Sequence, residues 1–261
     1  MNPVFNTITY EVSERIASIT LNRPEKRNAL NFVVVKELKE ALVVAESSPD
    51  VKVIILKANG KAFCSGADLE YVVRLQEYGY DENLIDSTHL MELYQKIYRM
   101  GKVVIAQIQG HALAGGCGLV TVCDFSFSVP EAKFGYTEVH IGFIPAIVMV
   151  FLIRKIGEAR AKEMLLTGDL VSAHKAHSIG IINDVLPIET IENDVRNFAL
   201  KLCKENSGAS MELTKKMMAD VQDLPIDDAL LFAAKMNARS RATEDCRRGM
   251  SNFLQKLPLE W

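Results

Sequence analysis

The stretch HALAGGCGLVTVCDF, His111–Phe125, decides how the chain is read. Small residues and glycines run into an apolar helix, and Gly118 stands where that helix should already have settled. An interior glycine costs a helix about 1 kcal/mol relative to alanine. Its presence points either to a neighbour packed against the backbone or to a side chain whose absence serves the site. The segment before it, VVIAQIQG (103–110), has the near-continuous apolar character of a strand buried on both faces. The unit is therefore strand, glycine turn, helix. The same order recurs upstream, where VKVIILK (51–57) leads through ANG into FCSGAD (63–68) and a helix.

Turns of this kind aim backbone N–H groups into a cleft, and the helix N-termini behind them add positive potential. Two N–H groups that converge on one oxygen form an oxyanion hole for a developing enolate. Neither turn continues into GK[ST], and GxGxxG is absent, so the phosphate-binding loops of nucleotide enzymes are not the model.

Around these turns, TITYEVS (7–13) and IASITLN (16–22) read as two strands joined by a polar turn. Asn31 is placed to cap a helix in which Val34, Leu38, Ala41, Leu42 and Ala45 recur at helical spacing. Segment 75–88 is polar and reads as a mobile loop, followed by a helix over 89–100 and, after the glycine stretch, a short strand FSFSV (125–129). Strand–helix alternation predicts an α/β core. Beyond about 156 the pattern is mostly helical, and 195–257 reads as helices only. The expected division is a catalytic core over 1–194 and a helical C-terminal region over 195–261.

The chain has 261 residues, 49% of them hydrophobic and 24% charged, enough for a large core and against disorder. A net charge of −3 without a basic tract disfavours nucleic acid as a partner. The five cysteines (64, 117, 123, 203 and 246) form no CxxC pair, as expected for reduced thiols. The start shows no secretory signal. The longest apolar run, FIPAIVMVFLI (143–153), carries Pro145 and is too short to span a bilayer. A cytoplasmic protein without a membrane partner is expected. No cluster of His, Cys, Asp and Glu has metal-ligand spacing, so no metal and no separate cofactor are expected.

In order along the chain, ITLNRPEKRNAL, KAFCSGADL, IQGHALAGGCGLVTVCDF, AKFGYTEVHIGFIP, LTGDLVSAHKAHSIGIINDVLP and GMSNFLQK resemble the signature stretches of the crotonase superfamily, the enoyl-CoA hydratase/isomerase family. The resemblance covers nearly the whole chain. It implies an α/β fold: a crotonase-like spiral of ββα units with a helical C-terminal trimerisation region, giving a homotrimer or a dimer of trimers. It also implies an acyl-CoA thioester substrate whose carbonyl oxygen is held by the N–H groups of Ala67, in SGAD, and Gly115, in LAGG. Ser65, Gly66, Asp68, Leu69, Gly116 and Gly118 line the same turns and are expected beside the substrate. Lys26, Arg27 and Ala29 fall in the stretch that resembles the family's CoA-binding start. Lys256, in FLQK, matches a C-terminal lysine that approaches the CoA phosphates. Glu70 stands where relatives often carry lysine, which removes one phosphate contact.

The family's hydratases use two glutamates. The second is present here as Glu138, in FGYTE, but the first position is Gly118, in GGCG. Two carboxylates suit hydration, with one accepting the water proton while the other orients the water. A lone carboxylate suits removal of a proton α to a thioester and its return two carbons away. The sequence therefore leans towards a double-bond isomerase with Glu138 as its acid/base group. A hydratase, for example one acting on a branched substrate of the methylglutaconyl-CoA type, and a non-catalytic acyl-CoA scaffold are the alternatives. Glu70, Asp86 and Glu92 are available as replacements for the missing carboxylate, and Gly118 is expected to leave room for a bulky or branched acyl group. IPAIVMVFL replaces the glycine cluster that often follows IP in the family, and Ala146 stands where some relatives carry a further aspartate. His111, His140, Cys64 and Cys117 lie near the motifs and read as spectators.

Overall fold

The computed structural model describes residues 4–261. The chain opens with the hairpin β1 (Ile8–Ser13) and β2 (Ile16–Leu21), then α1 (Phe32–Ser47). The Asn31 side chain accepts from the Val34 N–H at 3.0 Å, satisfying one of the donors a helix start leaves free. The predicted stripe Val34, Leu38, Ala41, Leu42 and Ala45 is buried.

Three successive units then repeat a long strand, a short strand and a turn. They are β3 (Val53–Ala58) with β4 (Ala62–Cys64), β5 (Val103–Ile108) with β6 (His111–Leu113), and β7 (Phe125–Ser128) with β8 (Lys133–Gly135). The long strands join one sheet in the order β1-β2-β3-β5-β7-β10, where β10 is Asp184–Val185. The short ones join a second sheet, β4-β6-β8-β9, where β9 is Val171–Ser172. Pairing between successive units is parallel in both sheets. Parallel strands need crossover connections, and helices supply these here; none of the residues of β5, a central strand of its sheet, is exposed. This is the ββα spiral the resemblance implies.

Helices fill the crossovers: α2 (Leu69–Leu75), α3 (Tyr80–Arg99) and α4 (Gly115–Val122). Segment 75–88, read as a loop, is for the most part helix. Its polarity has a physical cause, since the buried residues of α3, Leu93, Tyr94 and Ile97, all lie in its C-terminal half. The first turns of α3 face outward and are held by local means: the Gly79 N–H donates to Glu82 Oε2 at 2.8 Å, and Asp81 and Glu82 sit at the positive helix end.

The remaining helices are α5 (Ala146–Ile156), α6 (Glu158–Thr167), α7 (Ala173–Ser178), α8 (Ile191–Glu205), α9 (Gly208–Val221), α10 (Ile226–Ser240) and α11 (Glu244–Gln255). The boundary expected at 194/195 falls inside α8. That helix buries Ile191, Val195, Ala199 and Cys203, and packs on β2, β3, β5 and β7. Among the described residues, no helix is long and apolar enough to cross a membrane.

Candidate active site

The two candidate oxyanion donors and the candidate acid/base group each follow the end of a strand in the small sheet. β4 ends at Cys64 and opens into Ser65-Gly66-Ala67, β6 ends at Leu113 and opens into Ala114-Gly115, and β8 ends at Gly135 and leads to Glu138. Because β6 pairs in parallel with both β4 and β8, these three exits lie side by side. The carboxyl ends of parallel strands are where open α/β sheets place ligands.

The first turn is held by Leu30. Its N–H donates to the Gly66 carbonyl at 2.7 Å, and its carbonyl accepts from the Asp68 N–H at 2.8 Å. These bonds flank Ala67 as a parallel bridge, so the Ala67 N–H points to the opposite side. It has no main-chain acceptor among the described residues. Gly66 has φ +92°, a backbone state that favours glycine, and a Cβ there would lie 2.7 Å from the Ala114 Cβ and 3.5 Å from the Gly115 nitrogen. The two turns are therefore in contact. Gly115 is the first residue of α4, where an N–H has no partner within the helix, and it too lacks a main-chain acceptor among the described residues. Two free N–H groups on touching turns, one at a helix N-terminus, suit an oxygen that gains negative charge.

Glu138 sits on a 3-10 turn, Thr137–Ile141. Its Oε2 is buried and has no hydrogen-bond partner among the described residues. Burial raises its carboxyl above the ordinary range, opposed only by a bond from its own main-chain N–H. A carboxylate that is desolvated and unpaired is primed to take a proton. Its charge reaches the hydroxyl of Tyr94 on α3, whose pKa is pushed well up, first by burial and then by Cys64 and Glu138.

Gly118 does not open room for an acyl group, contrary to the sequence expectation. A Cβ there would lie 2.3 Å from Val148 Cγ1 and 3.2 Å from the Tyr94 hydroxyl. Val148 on α5 and the Tyr94 ring occupy the space, and Gly118 is buried. Gly116 is likewise buried, and a Cβ there would meet the Cys64 carbonyl oxygen at 2.2 Å. Both glycines let neighbours approach α4, and neither presents a surface to substrate.

Asp68 is also buried and structural. Its carboxylate pairs with Arg23 at 3.1 Å, and the other arm of that guanidinium donates to the Ala29 carbonyl. Ala29, at 6% exposure, lies beneath this loop. Lys26 pairs with Glu70 at 2.6 Å, so its ammonium is engaged by the carboxylate that stands where relatives often carry lysine. Arg27 is exposed with φ +50°, and its carbonyl accepts from the Ser65 N–H. Leu69 is exposed at the start of α2. Lys256 is exposed and ends α11 with φ +55°. Among the described residues its main-chain N–H bonds only within the end of α11.

The carboxylates considered as replacements at Gly118 have other partners. Glu70 binds Lys26, Glu92 accepts from Lys39 at 2.6 Å, and Asp86 accepts from the Tyr71 hydroxyl. His140 is tied to the Thr167 carbonyl at 2.8 Å, and His111 Nδ1 accepts from the Lys133 N–H. Burial pushes the thiols of Cys64 and Cys117 up to about 12, so they stay neutral. Tyr94 is the site residue that sequence reading missed. Its one available signal was a tyrosine among the apolar positions of the 89–100 helix, which is no more than a core pattern.

A cavity of about 810 Å³ lies elsewhere, where Lys155, Asp124, Phe151 and Met211 meet the C-terminal end of α4, and none of the site residues lines it. Lys155 is half-buried there and donates to the Thr121 and Cys123 carbonyls, which compensates the negative end of α4.

A family model described as enoyl-CoA hydratase/isomerase matches residues 11–261. A Thermus thermophilus protein provisionally named an enoyl-CoA hydratase is 38% identical over 243 residues, covering 93% of this chain and 96% of its own. The crotonyl-CoA hydratase of Syntrophomonas wolfei is 32% identical, over 97% and 96% of the two chains. The crystal structure of an enoyl-CoA hydratase of Mycobacterium smegmatis superimposes with a TM-score of 0.91 at 29% identity, over 98% and 99%. The chain belongs to the enoyl-CoA hydratase/isomerase family.

The close approach at Gly118 has a measurable consequence. Gly118→Ala is expected to destabilise the protein by about 1–3 kcal/mol, the usual cost of overpacking. Adding Val148→Ala should recover part of that loss in urea unfolding. A Gly118→Ala protein as stable as wild type contradicts this packing.

Proposed function

We propose that this member of the enoyl-CoA hydratase/isomerase family is a hydratase that adds water across the double bond of a 2-enoyl-CoA thioester. The chemistry rests on two N–H groups, at Ala67 and Gly115, that lack main-chain acceptors among the described residues on turns in contact, and on the half-buried Glu138, whose Oε2 is buried without a hydrogen-bond partner. The choice of hydration over the isomerisation favoured by the sequence rests on the relatives, which are named as hydratases. The branched-substrate reading loses its support, since Val148 and Tyr94 fill the space that Gly118 was expected to leave.

In this reading the thioester oxygen lies between the two N–H groups, which draw electron density from C3. Glu138 accepts a proton from water as the water oxygen bonds to C3, and the π electrons pass to the thioester oxygen as an enolate. The enolate collapses, and Glu138 returns the proton to C2. Atoms balance, and one carboxylate serves as base and then as acid. Because it acts from one side of a planar enoyl group, hydroxyl and proton are delivered to the same face. A non-catalytic scaffold would gain nothing from a desolvated, unpaired carboxylate at this point.

A trimer or dimer of trimers remains part of the proposal. Its support is the apolar surface on α9–α11, where Met218, Ile226, Leu230, Phe253 and Leu254 are each more than half exposed. Sedimentation at micromolar concentration should give three or six chains per particle, and a monomer overturns this.

Incubation with a 2-enoyl-CoA should give the 3-hydroxyacyl-CoA. Rapid double-bond migration without hydration would return the isomerase reading. Glu138→Gln should lower kcat by ~10²–10⁴-fold with little change in thioester affinity. The wild-type kcat/KM should fall on the acid side through one ionisation above the ordinary glutamate range, since only the carboxylate is a base. A folded pKa raised above the unfolded one contributes stability that is present below the unfolded pKa and lost as pH rises through the folded value. Glu138→Gln should therefore improve its melting temperature relative to wild type more at pH 8 than at pH 4. An equal difference at both values contradicts the raised pKa.

A further inference from the structure

The peptide that carries the Gly115 N–H is strained. Ala114 has φ +48° and ψ −124°, a region that non-glycine residues rarely adopt. Strain of this kind persists only where the surroundings over-determine it, and it collects at functional sites. The helix that follows begins Gly-Gly-Cys-Gly, a sequence with little intrinsic stiffness. Something outside α4 must hold this peptide in place.

Two anchors bracket it. On one side the Ala114 N–H donates to the Gly135 carbonyl at 2.7 Å, a bond of the small sheet. On the other side the Tyr94 hydroxyl donates to the Gly115 carbonyl at 2.9 Å. Tyr94 is fully buried. Its hydroxyl reaches α4 because Gly115 and Gly118, three residues apart on one helix face, lack side chains. A Cβ at either would stand 3.0 Å and 3.2 Å from that oxygen. The same ring therefore fills the place of the missing carboxylate and fixes the turn that carries the oxyanion donor.

We propose that Tyr94 is a positioning residue for the oxyanion hole: its hydroxyl clamps the first turn of α4, so that the strained Ala114–Gly115 peptide keeps its N–H aimed at the thioester oxygen. This rests on the reading of the two turns as the thioester-oxygen site. It does not depend on whether the bound enoyl group is hydrated or isomerised. Glu138 remains the group that moves protons, and Tyr94 acts on the reaction only through Gly115. A displacement of about 1 Å at a reacting centre can cost ~10²-fold in rate.

The test compares wild type with Tyr94→Phe, using butanoyl-CoA labelled with ¹³C at the thioester carbonyl, which binds without reacting. Wild type should lower the carbonyl stretching frequency of the bound ester relative to the free one. Tyr94→Phe should lower it less, and its kcat on a 2-enoyl-CoA should fall about 10- to 100-fold with KM within about 3-fold. A merely structural tyrosine would change the melting temperature and leave the carbonyl frequency alone. Full lowering in both proteins, with kcat unchanged, overturns the role of Tyr94 by itself. A wild type that leaves the carbonyl at its free frequency overturns this proposal together with the reading of the turns. If Tyr94→Phe does not fold, 3-fluorotyrosine at position 94 keeps the hydroxyl and supplies a ¹⁹F signal. That signal should move on saturation with butanoyl-CoA, and an unmoved resonance overturns the proposal.

Discussion

The parallel pairing of three very short strands, β4, β6 and β8, is the constraint on which the rest depends. Each is three residues long, and each ends where the chain leaves for a turn or helix. Three neighbouring exits place the turns that carry Ala67, Gly115 and Glu138 at adjacent strand ends, although the chain separates them widely. The larger sheet supports this arrangement. β3, β5 and β7 precede β4, β6 and β8 and pair in the same order, so the core fixes the register of the small sheet. Burial of β3 and β5 stabilises the core, at about 1.5–3 kcal/mol for a fully buried Val, Leu or Ile. The site uses that rigidity to hold N–H groups without partners.

α4 runs from the candidate site to the far cavity. Its N-terminal N–H faces the site, and its C-terminal carbonyls are held by the buried ammonium of Lys155. Along its length glycine lets three neighbours come close: Cys64 at Gly116, Val148 at Gly118, and Tyr94 at Gly115 and Gly118. The helix gives up intrinsic propensity, about 1 kcal/mol per interior glycine, for contact on several faces. Gly118 is thus explained by packing. What that packing secures is the position of the preceding turn.

Much of this was legible in the sequence. The hairpin, the stripe of α1, the buried strands and the glycine turns follow from periodicity and turn chemistry, and the ordered motifs carry the spiral fold. The helix after SGAD is legible, but the first turns of α3, inside the 75–88 segment, bury nothing, so no apolar period marks them as helix. The short strands of the small sheet carry no strand signal, since two or three residues are too few to show alternation. The partners of Gly118, Asp68, Lys26 and Glu92 were invisible for another reason. Val148, Arg23, Glu70 and Lys39 lie elsewhere in the chain, and only folding brings them together. The choice between one carboxylate and two was visible at once at Gly118, but what stands in that space was not.

In the proposed mechanism one thioester oxygen is shared by the N–H groups of Ala67 and Gly115, with Glu138 as the single proton-transfer group. A crystal structure with an unreactive 2-enoyl thioester analogue tests it most directly. The thioester oxygen should lie within hydrogen-bonding distance of both nitrogens, about 2.7–3.2 Å, with the Glu138 carboxylate over C2 and C3 and no other carboxylate beside them. An oxygen bound away from either nitrogen, or a second carboxylate at the reacting carbons, would contradict it.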